Sequence, residues 1–440
     1  MRKALGVVAL AAFAEVGFED ALDTSNKVAA SLEKDGIDVI NTGLLMHDFD
    51  SAEQAAKAML DDDIAVILVN VGTWCEDNYI LQFLKASQKP VILHSFPHMQ
   101  SGSLCGVMQI ASVFNDIEFT AYRTVYADPG SEDSVDAVKK AFEELKNSEN
   151  LGKREDTFYI ASIGGRSPGM TEIAFDEFSL FKRTGAIVAI IDETELINLA
   201  DSFTDEDVDQ VRPLIEGRGF RISVDDEAIK ESLRYYLAMK ALVKKYGLKA
   251  FAIKCYTSLM GKVCLGYSLL SDEGIACACE GDVNSAAMMK IMMDISGQCI
   301  NNTDILNPLP DDNAIIFAHC GSSGFSIAPS PDEVELRPVR IMERGICSMF
   351  RPKLGTVTAA DLVGHGNQLR MSIMVGEAIE KEYLFPGNQA CIKFERNVID
   401  ICNDVMSKAC GHHWMVAYGD LTEELKKYCE DHDIIFQNLT

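Results

Sequence analysis

Residues 274–294, GIACACEGDVNSAAMMKIMMD, predict a buried strand, a sharp turn and a helix in direct succession. The apolar run 275–279 has the length of a short buried strand, and the turn falls at Gly281. The helix is expected over about 283–296, and Gly297 is expected to end it. A strand that leads into a helix in this way is typical of an α/β layer.

Carboxylate and imidazole groups stand at the ends of predicted elements. Glu280 ends the strand, at the edge where open α/β sheets keep their ligands, and Asp304 follows in a polar segment. His319 comes directly after one apolar run, and the pair His412 and His413 precedes another. Each residue alone fits an ordinary role in a cap, a turn or a satisfied hydrogen bond. Together, two carboxylates and one or two imidazoles suit a divalent cation such as Mn²⁺.

Other side chains in this stretch are predicted to be structural. Asp282 or Asn284 can cap the helix with a side-chain oxygen. Cys277 and Cys279 could form a thiolate pair, but small buried hydrophobes are the interpretation that we favour. The methionines at helical spacing indicate core packing; they are Met288, Met289, Met292 and Met293.

Length and charge limit what the chain can do. Its 440 residues are too many for one ordinary core, so two or three domains are expected. The formal net charge is −27, from 67 acidic and 40 basic residues, and such a surface repels nucleic acid and anionic membranes. Neither is expected as a partner, and no apolar run approaches the roughly 18 residues of a membrane span.

The first 14 residues, MRKALGVVALAAFA, have two interpretations. Two basic residues, a short apolar run and the small residues around Ala14 imitate a secretory signal. We favour a first buried strand over 4–11, because a helical pattern over 19–34 and an apolar pair at 39–40 continue an α/β alternation. The 13 cysteines, an odd number scattered through apolar runs, fit a reducing compartment, so a cytoplasmic location is expected.

The whole sequence predicts an α/β fold with two Rossmann-like doubly wound domains and a smaller β-rich C-terminal domain. The predicted domains are 1–152, 153–328 and 329–440, with the polar run 146–156 as the first joint. Neither the glycine-rich dinucleotide fingerprint nor a phosphate loop of the GxxxxGK(S/T) type is present. Strands are expected at 5–11, 39–41, 65–70, 91–94, 157–163, 186–191, 250–254, 334–342, 346–350, 356–363, 369–375 and 390–394, and helices at 175–182, 226–246 and 421–432.

Two basic residues are candidates for binding an anionic substrate group. Arg166 lies in the glycine-rich segment 164–170 after a predicted strand, and Lys254 ends another strand. A glycine-rich loop lets a ligand approach the backbone, although a plain connecting turn fits the same residues.

Four segments resemble the superfamily of L-fucose isomerase and L-arabinose isomerase. ACEGDV around Glu280 is similar to the family segment that carries the first metal-binding glutamate, and Asp304 has the spacing of the aspartate ligand in fucose isomerases. HCG at His319 matches a histidine that ligates metal in arabinose isomerases. GHH at 411–413, followed by VAYGD, resembles the segment with the last histidine ligand. These motifs cover about residues 270–420, and the chain resembles the compact fucose-isomerase-like branch, which includes sulfoquinovose isomerase.

The resemblance implies a Mn²⁺-dependent aldose–ketose isomerase that acts on a free sugar through an enediol. The sugar would be a fucose- or arabinose-type aldose, or a 6-deoxy-6-sulfo hexose such as sulfoquinovose. Glu280 and Asp304 would both bind the metal and transfer protons. His413 is favoured over His412 as the further ligand, and His319 would bind metal or substrate. Other divalent ions would fit the same ligands.

The resemblance also implies a homo-oligomer, a trimer or a hexamer, with the site between subunits. A residue of the first domain, such as His94 or His98, could then reach a neighbour's site. Two other function classes use the same features. A metal-dependent sugar lyase or aldolase could use the same ligands, and a non-enzymatic sugar-binding protein could use two Rossmann-like lobes, provided that the signal peptide is real.

Overall fold

The structure is a computed structural model that describes residues 3–148, 157–365 and 368–440. The chain folds into two compact units, Met1–Thr157 and Phe158–Thr440. The predicted boundary at residue 152 and most of the polar run 146–156 lie outside the described residues. The division into three domains stays a prediction.

The N-terminal unit is a parallel five-stranded sheet with helices between its strands, as predicted. The strand order is β2-β1-β3-β4-β5, so the chain starts on an inner strand, adds one edge strand and then winds to the other edge. Its strands are β1 Ala4–Leu10, β2 Val39–Met46, β3 Ile64–Val71, β4 Val91–Ser95 and β5 Tyr122–Tyr126. Its helices are α1 Phe18–Lys34, α2 Phe49–Ala58, α3 Asp77–Ser87, α4 Ser103–Asp116 and α5 Glu132–Leu145.

Strand β1 is buried, as we expected from the interpretation of the N-terminal residues as a first buried strand. All seven of its residues are buried, and it pairs with β2 on one side and β3 on the other. Apolar clusters cover both faces of the sheet, which explains why the strand is continuously apolar rather than alternating. The expected strand over 4–11 is therefore confirmed.

The C-terminal unit begins with a second parallel sheet, in the order β10-β9-β6-β7, and also contains a small three-stranded sheet, β14-β13-β8. These strands are β6 Phe158–Ile163, β7 Ala186–Ile191, β8 Arg221–Ile222, β9 Leu248–Ile253, β10 Ala276–Ala278, β13 Glu335–Val339 and β14 Arg344–Met349. The helices of the unit are α6 Glu177–Thr184, α7 Glu193–Ser202, α8 Asp205–Val211, α9 Asp226–Tyr246, α10 Cys264–Asp272, α11 Val283–Ser296, α12 Val398–Ser407 and α13 Thr422–Asp431.

The β-rich part of this unit is a closed antiparallel ring of six strands. Their order is β15-β18-β11-β12-β17-β16, and β16 pairs again with β15, which closes the ring. The strands are β11 Asn301–Leu309, β12 Ala314–Ala318, β15 Gly355–His365, β16 Gln368–Ile379, β17 Ala390–Lys393 and β18 His413–Tyr418, with β19 Ile435–Asn438 added to β16. Two of these strands, β11 and β12, precede residue 329, so the sheet extends across the predicted domain boundary.

Helix α11, which the opening stretch predicts, packs between the parallel sheet and the ring. Ten of its fourteen residues are buried, because it contacts β9 on one side and β15 and β18 on the other. A helix covered on all sides is apolar all round, which accounts for the predicted methionine packing. Among the described residues, no helix has the length and apolar character needed to cross a bilayer.

Candidate metal and catalytic site

The turn after β10 holds Glu280 in an uncommon backbone conformation. Glu280 has φ +63° and Gly281 has φ +77°, so two successive residues are left-handed. For glutamate this conformation costs about 1–2 kcal/mol, and such strain tends to cluster at functional sites. The backbone of Glu280 is fixed on both sides, since its N–H donates to Cys255 Sγ at 3.3 Å and its carbonyl accepts from Ser167 N–H at 3.1 Å.

Gly281 lets another loop approach this turn closely. A Cβ atom at Gly281 would lie 2.1 Å from the carbonyl oxygen of Gly165, closer than any side chain allows. Gly165 belongs to the glycine-rich segment 164–170, which therefore packs against the turn that carries Glu280. Arg166 is exposed in this segment and, within the described part of the chain, makes no hydrogen bond or ion pair.

Asp282 caps helix α11 and contacts a histidine. Its Oδ1 accepts from the backbone N–H of Ser285 at 3.0 Å, as the sequence predicts for a cap. Its Oδ2 lies 2.8 Å from Nδ1 of His413. Because the chain reverses at Gly281, Glu280 approaches the same imidazole at its other nitrogen, with Oε2 3.1 Å from Nε2. His413 is thus held between two carboxylates of one turn.

Strand pairing brings the remaining groups to the same place. Asp304 on β11 stands opposite His413 on β18 and opposite Ala318 on β12, and His319 directly follows Ala318. Asp304 Oδ1 lies 3.8 Å from Nε2 of His413 and 3.8 Å from Nε2 of His319. The structure therefore gathers all four residues, which the sequence places in four separate segments.

The groups perturb one another's pKa values. Burial opposes ionisation of Glu280, but hydrogen bonds from His412 and His413 outweigh it and hold the pKa of Glu280 well below its usual range. Burial also opposes protonation of His413, yet Asp282 and Glu280 raise its pKa well above the ordinary value. Burial acts in the same direction on His319, and the charge of Asp304 is the main effect that overcomes it and raises its pKa to about 9. Each carboxylate and imidazole thus favours the charged form of its neighbour.

These residues fit a divalent metal. Two groups of side chains offer ligand atoms that all lie within 4.8 Å of one another: Glu280, His319 and His413, and Asp304, His412 and His413. Oδ1 of Asp304 and Nδ1 of His319 are buried and have no hydrogen-bond partner among the described residues. Buried polar atoms normally have partners, and Oδ1 of Asp304 faces both imidazoles, so this oxygen indicates that a ligand belongs here. Carboxylate and imidazole donors suit Mn²⁺ and similar ions.

Comparison with known proteins finds similarity to sugar isomerases. No protein-family model matches the chain. The sulfoquinovose isomerase of Alkalicoccus urumqiensis is 26% identical over 305 residues, 66% of this chain and 67% of that protein. The sulfoquinovose isomerase of Priestia aryabhattai is 22% identical over 378 residues, 82% of each chain. The L-arabinose isomerase of Mannheimia succiniciproducens is 28% identical over 262 residues, 55% of this chain and 52% of that protein.

These similarities support the arabinose and fucose isomerase-like superfamily for this chain. Its relatives are named as isomerases, and the chain is an enzyme of that class. The expected superfamily membership and the α/β fold with a β-rich C-terminal part are therefore confirmed.

His412 lies at the edge of the gathered groups. Its side chain is 38% exposed, whereas that of His413 is 2% exposed. Nδ1 of His412 lies 2.8 Å from Oε1 of Glu172, and Nε2 lies 3.9 Å from Oε2 of Glu280. Glu280 raises the pKa of His412, although burial opposes this. His413 is therefore the enclosed imidazole of the pair and His412 the accessible one.

Two other predicted residues already have partners of their own. Lys254 forms an ion pair with Glu193, Nζ to Oε2 at 2.8 Å, so its charge is already balanced. His94 is fully buried on β4, with Nδ1 2.9 Å from Asn70 and Nε2 3.3 Å from Ser134, and its side chain is not available to a neighbouring subunit. Cys277 and Cys279 are buried, and the 13 cysteines, all within the described residues, are free thiols.

The structure also reveals residues that the sequence did not single out. Glu172 gave no signal, since it lies in a short turn without a motif. Asp361 gave one, because it is a lone carboxyl group in the apolar run of β15. Its Oδ2 accepts from the backbone N–H of Gly411 at 2.8 Å, which fixes the start of the segment that carries both histidines. Burial raises the pKa of Asp361 to about 7.

Proposed function

We propose that this chain is a metal-dependent aldose–ketose isomerase that acts on a free sugar through an enediol. The observation that supports this most strongly is the convergence of Glu280, Asp304, His319 and His413, with a buried oxygen of Asp304 that has no hydrogen-bond partner among the described residues. Names of relatives support the sugar isomerase class, and the ligand chemistry supports Mn²⁺ as the metal.

Glu280, Asp304 and His413 would hold the metal, and His319 would bind either the metal or a sugar oxygen. When bound, the ion would act as a Lewis acid toward neighbouring sugar oxygens. The side chains have a separate task, since a proton must leave C2 and arrive at C1 while a hydroxyl proton moves between O2 and O1. One carboxylate would carry the carbon-bound proton and the other the hydroxyl proton, and their roles would exchange in the reverse reaction.

Glu280 suits the role of base. Hydrogen bonds from His412 and His413 overcome its burial and keep its pKa low, so that it is ionised at neutral pH. Its fixed backbone limits the positions that its carboxylate can take, which favours catalysis by orientation. Accessible His412, whose Nδ1 contacts Glu172, would bind a sugar hydroxyl at the mouth of the site.

We infer that the substrate is a 6-sulfonated hexose such as sulfoquinovose, rather than a neutral aldose. Similarity to proteins named sulfoquinovose isomerase extends over as much as 82% of this chain, against 55% for the L-arabinose isomerase described above. A sulfonate needs a cationic partner, and Arg166 offers an exposed guanidinium in the loop packed against the turn of Glu280. Lys254 is the weaker candidate, because Glu193 already pairs with it.

The assay for this proposal uses metal-stripped protein, with and without added Mn²⁺, on sulfoquinovose, L-fucose, D-arabinose and L-arabinose. We expect one ketose from sulfoquinovose, formed only with the metal, and an R166Q variant with at least a tenfold higher KM for that sugar. Two fragments instead of one isomer would establish a lyase. Turnover of only neutral aldoses would contradict the sulfonated substrate, and Mn²⁺ binding without any ketose would contradict the isomerase.

The trimer or hexamer implied by the resemblance is also part of the proposal. Light scattering of the purified protein measures its mass directly, and a monomer at assay concentration would contradict a site completed by a neighbouring subunit.

A further inference from the structure

The turn after β10 carries two carboxylates that contact one imidazole at its two nitrogens. Glu280 faces Nε2 of His413 at 3.1 Å, and Asp282 faces Nδ1 at 2.8 Å. Only Nε2 also faces Asp304. Nε2 therefore points toward the gathered ligand groups, while Nδ1 is occupied by Asp282.

We propose that Asp282 is a positioning residue, which fixes the ring orientation of His413 and keeps the proton on Nδ1 so that the lone pair of Nε2 is available to a metal. This inference rests on the proposed metal-dependent function. An imidazole that ligates through one nitrogen usually donates its other N–H to a carboxylate or carbonyl, and that contact strengthens it as a ligand.

The surroundings of Asp282 make it a rigid partner. It is 4% exposed, and its two oxygens accept three hydrogen bonds, from the backbone N–H and the hydroxyl of Ser285 and from His413. The positive N-terminal end of helix α11 favours a negative charge at this position. The buried helix α11 therefore sets where the carboxylate lies, and the carboxylate sets the orientation of the ring.

A comparison within the site supports a specific role. His319 is equally enclosed, at 5% exposure, but its Nδ1 has no hydrogen-bond partner among the described residues. Within the described part of the chain no carboxylate contacts Nδ1 of that ring, so the fixed ligand orientation belongs to His413. This difference agrees with His413 as the permanent metal ligand and with His319 as a side chain that binds either the metal or the substrate.

Asp282 also caps a helix, so a test must separate the two roles. Serine is a good helix cap but is too short to reach His413. D282S therefore keeps the cap of α11 and removes the contact with His413. Asparagine has one acceptor oxygen instead of two, so D282N can serve the cap or His413 but not both at once. The control is D225S, because Asp225 caps α9 through the backbone N–H of Ala228 at 2.8 Å and has no histidine partner among the described residues.

The experiment measures Mn²⁺ affinity of metal-stripped full-length protein by calorimetry, together with thermal unfolding of the same samples. We expect D282S to bind Mn²⁺ about 10- to 100-fold more weakly than the wild type, with D282N between them. D225S should bind as the wild type does, and all variants should unfold within a few degrees of one another. With saturating Mn²⁺, KM for the sugar should stay unchanged while kcat falls in D282S.

Each outcome separates this inference from the proposed function. Equal Mn²⁺ affinity of wild type and folded D282S would overturn the positioning role and leave the proposed function intact. Weaker Mn²⁺ binding in D282S with no turnover of any sugar by the wild type would support the positioning role and contradict the isomerase. A wild type that binds no Mn²⁺ would overturn both. If D282S fails to fold, D282N decides the question by the same comparison with D225S.

Discussion

Replacement of Gly281 by alanine tests the turn that carries Glu280. The left-handed φ of +77° at this position costs a residue with a Cβ atom about 1–2 kcal/mol. The new Cβ atom would also lie 2.1 Å from the carbonyl oxygen of Gly165, and backbone cannot rotate away as a flexible side chain does. Relief of such an overlap costs about 1–3 kcal/mol more. We therefore expect G281A to lower the free energy of unfolding by about 2–5 kcal/mol.

The matched control is G297A, at the other end of helix α11. Gly297 has a similar φ of +66°, but a Cβ atom there would meet no atom within 4 Å. G297A should therefore lower the free energy of unfolding only by the cost of the left-handed backbone conformation, about 1–2 kcal/mol. Scanning calorimetry of the metal-stripped variants should place the midpoint of G281A several degrees below that of G297A, since 1 kcal/mol corresponds to about 2–4 °C in units of this size. G281A should also bind Mn²⁺ more weakly. Equal midpoints for the two variants would refute the close packing of the 164–170 segment on this turn.

Two further predictions concern catalysis and pH. E280Q should lower kcat at least ~100-fold in steady-state assays, because it removes a proton-transfer group. The control is E273Q, since Glu273 precedes β10 and its carboxylate accepts hydrogen bonds from Tyr236 and Lys240; its kcat should stay within about twofold of the wild type. Unchanged turnover in E280Q would remove Glu280 from the mechanism. Burial lowers the pKa of His94 from 6.5 to about 4, so the unfolded chain takes up a proton there before the folded chain does. The free energy of unfolding should therefore contain this full contribution above pH 6.5 and fall by up to about 3 kcal/mol as the pH drops to 4. Chemical unfolding of H94N should lack this part of the pH dependence. Parallel curves for wild type and H94N would contradict the burial of a neutral His94.

Much of the fold can be predicted from local sequence patterns. The strands of both parallel sheets and the helix α9 stand out as apolar or amphipathic runs between turn residues, and α11 follows from its glycine turn and cap. The pattern did not predict β5, because this edge strand is largely exposed and carries few apolar residues. Closure of the six-stranded ring was not predicted either, since pairing of β18 with β15 and with β11 joins segments that are far apart in the sequence.

Some residues of the site can likewise be predicted from local sequence patterns, and others cannot. Candidate ligands can be found in the sequence because most of them follow or precede apolar runs. Such runs form strands, and the ends of neighbouring strands meet at a common edge of a sheet. Asp282 was recognised as a cap, and that role alone explained its presence before the helix, which concealed its contact with His413. Glu172 could not be predicted, because only the folded chain brings this turn residue to His412.

The central claim is that one metal site, built by Glu280, Asp304 and His413, carries out the isomerisation. Its most direct test is a titration of metal-stripped protein with Mn²⁺, in which occupancy and sulfoquinovose turnover are measured on the same sample. The account predicts one Mn²⁺ per chain and turnover that rises in proportion to occupancy, with both lost in E280Q. Full turnover before any Mn²⁺ is added, or turnover in E280Q equal to that of the wild type, would contradict it.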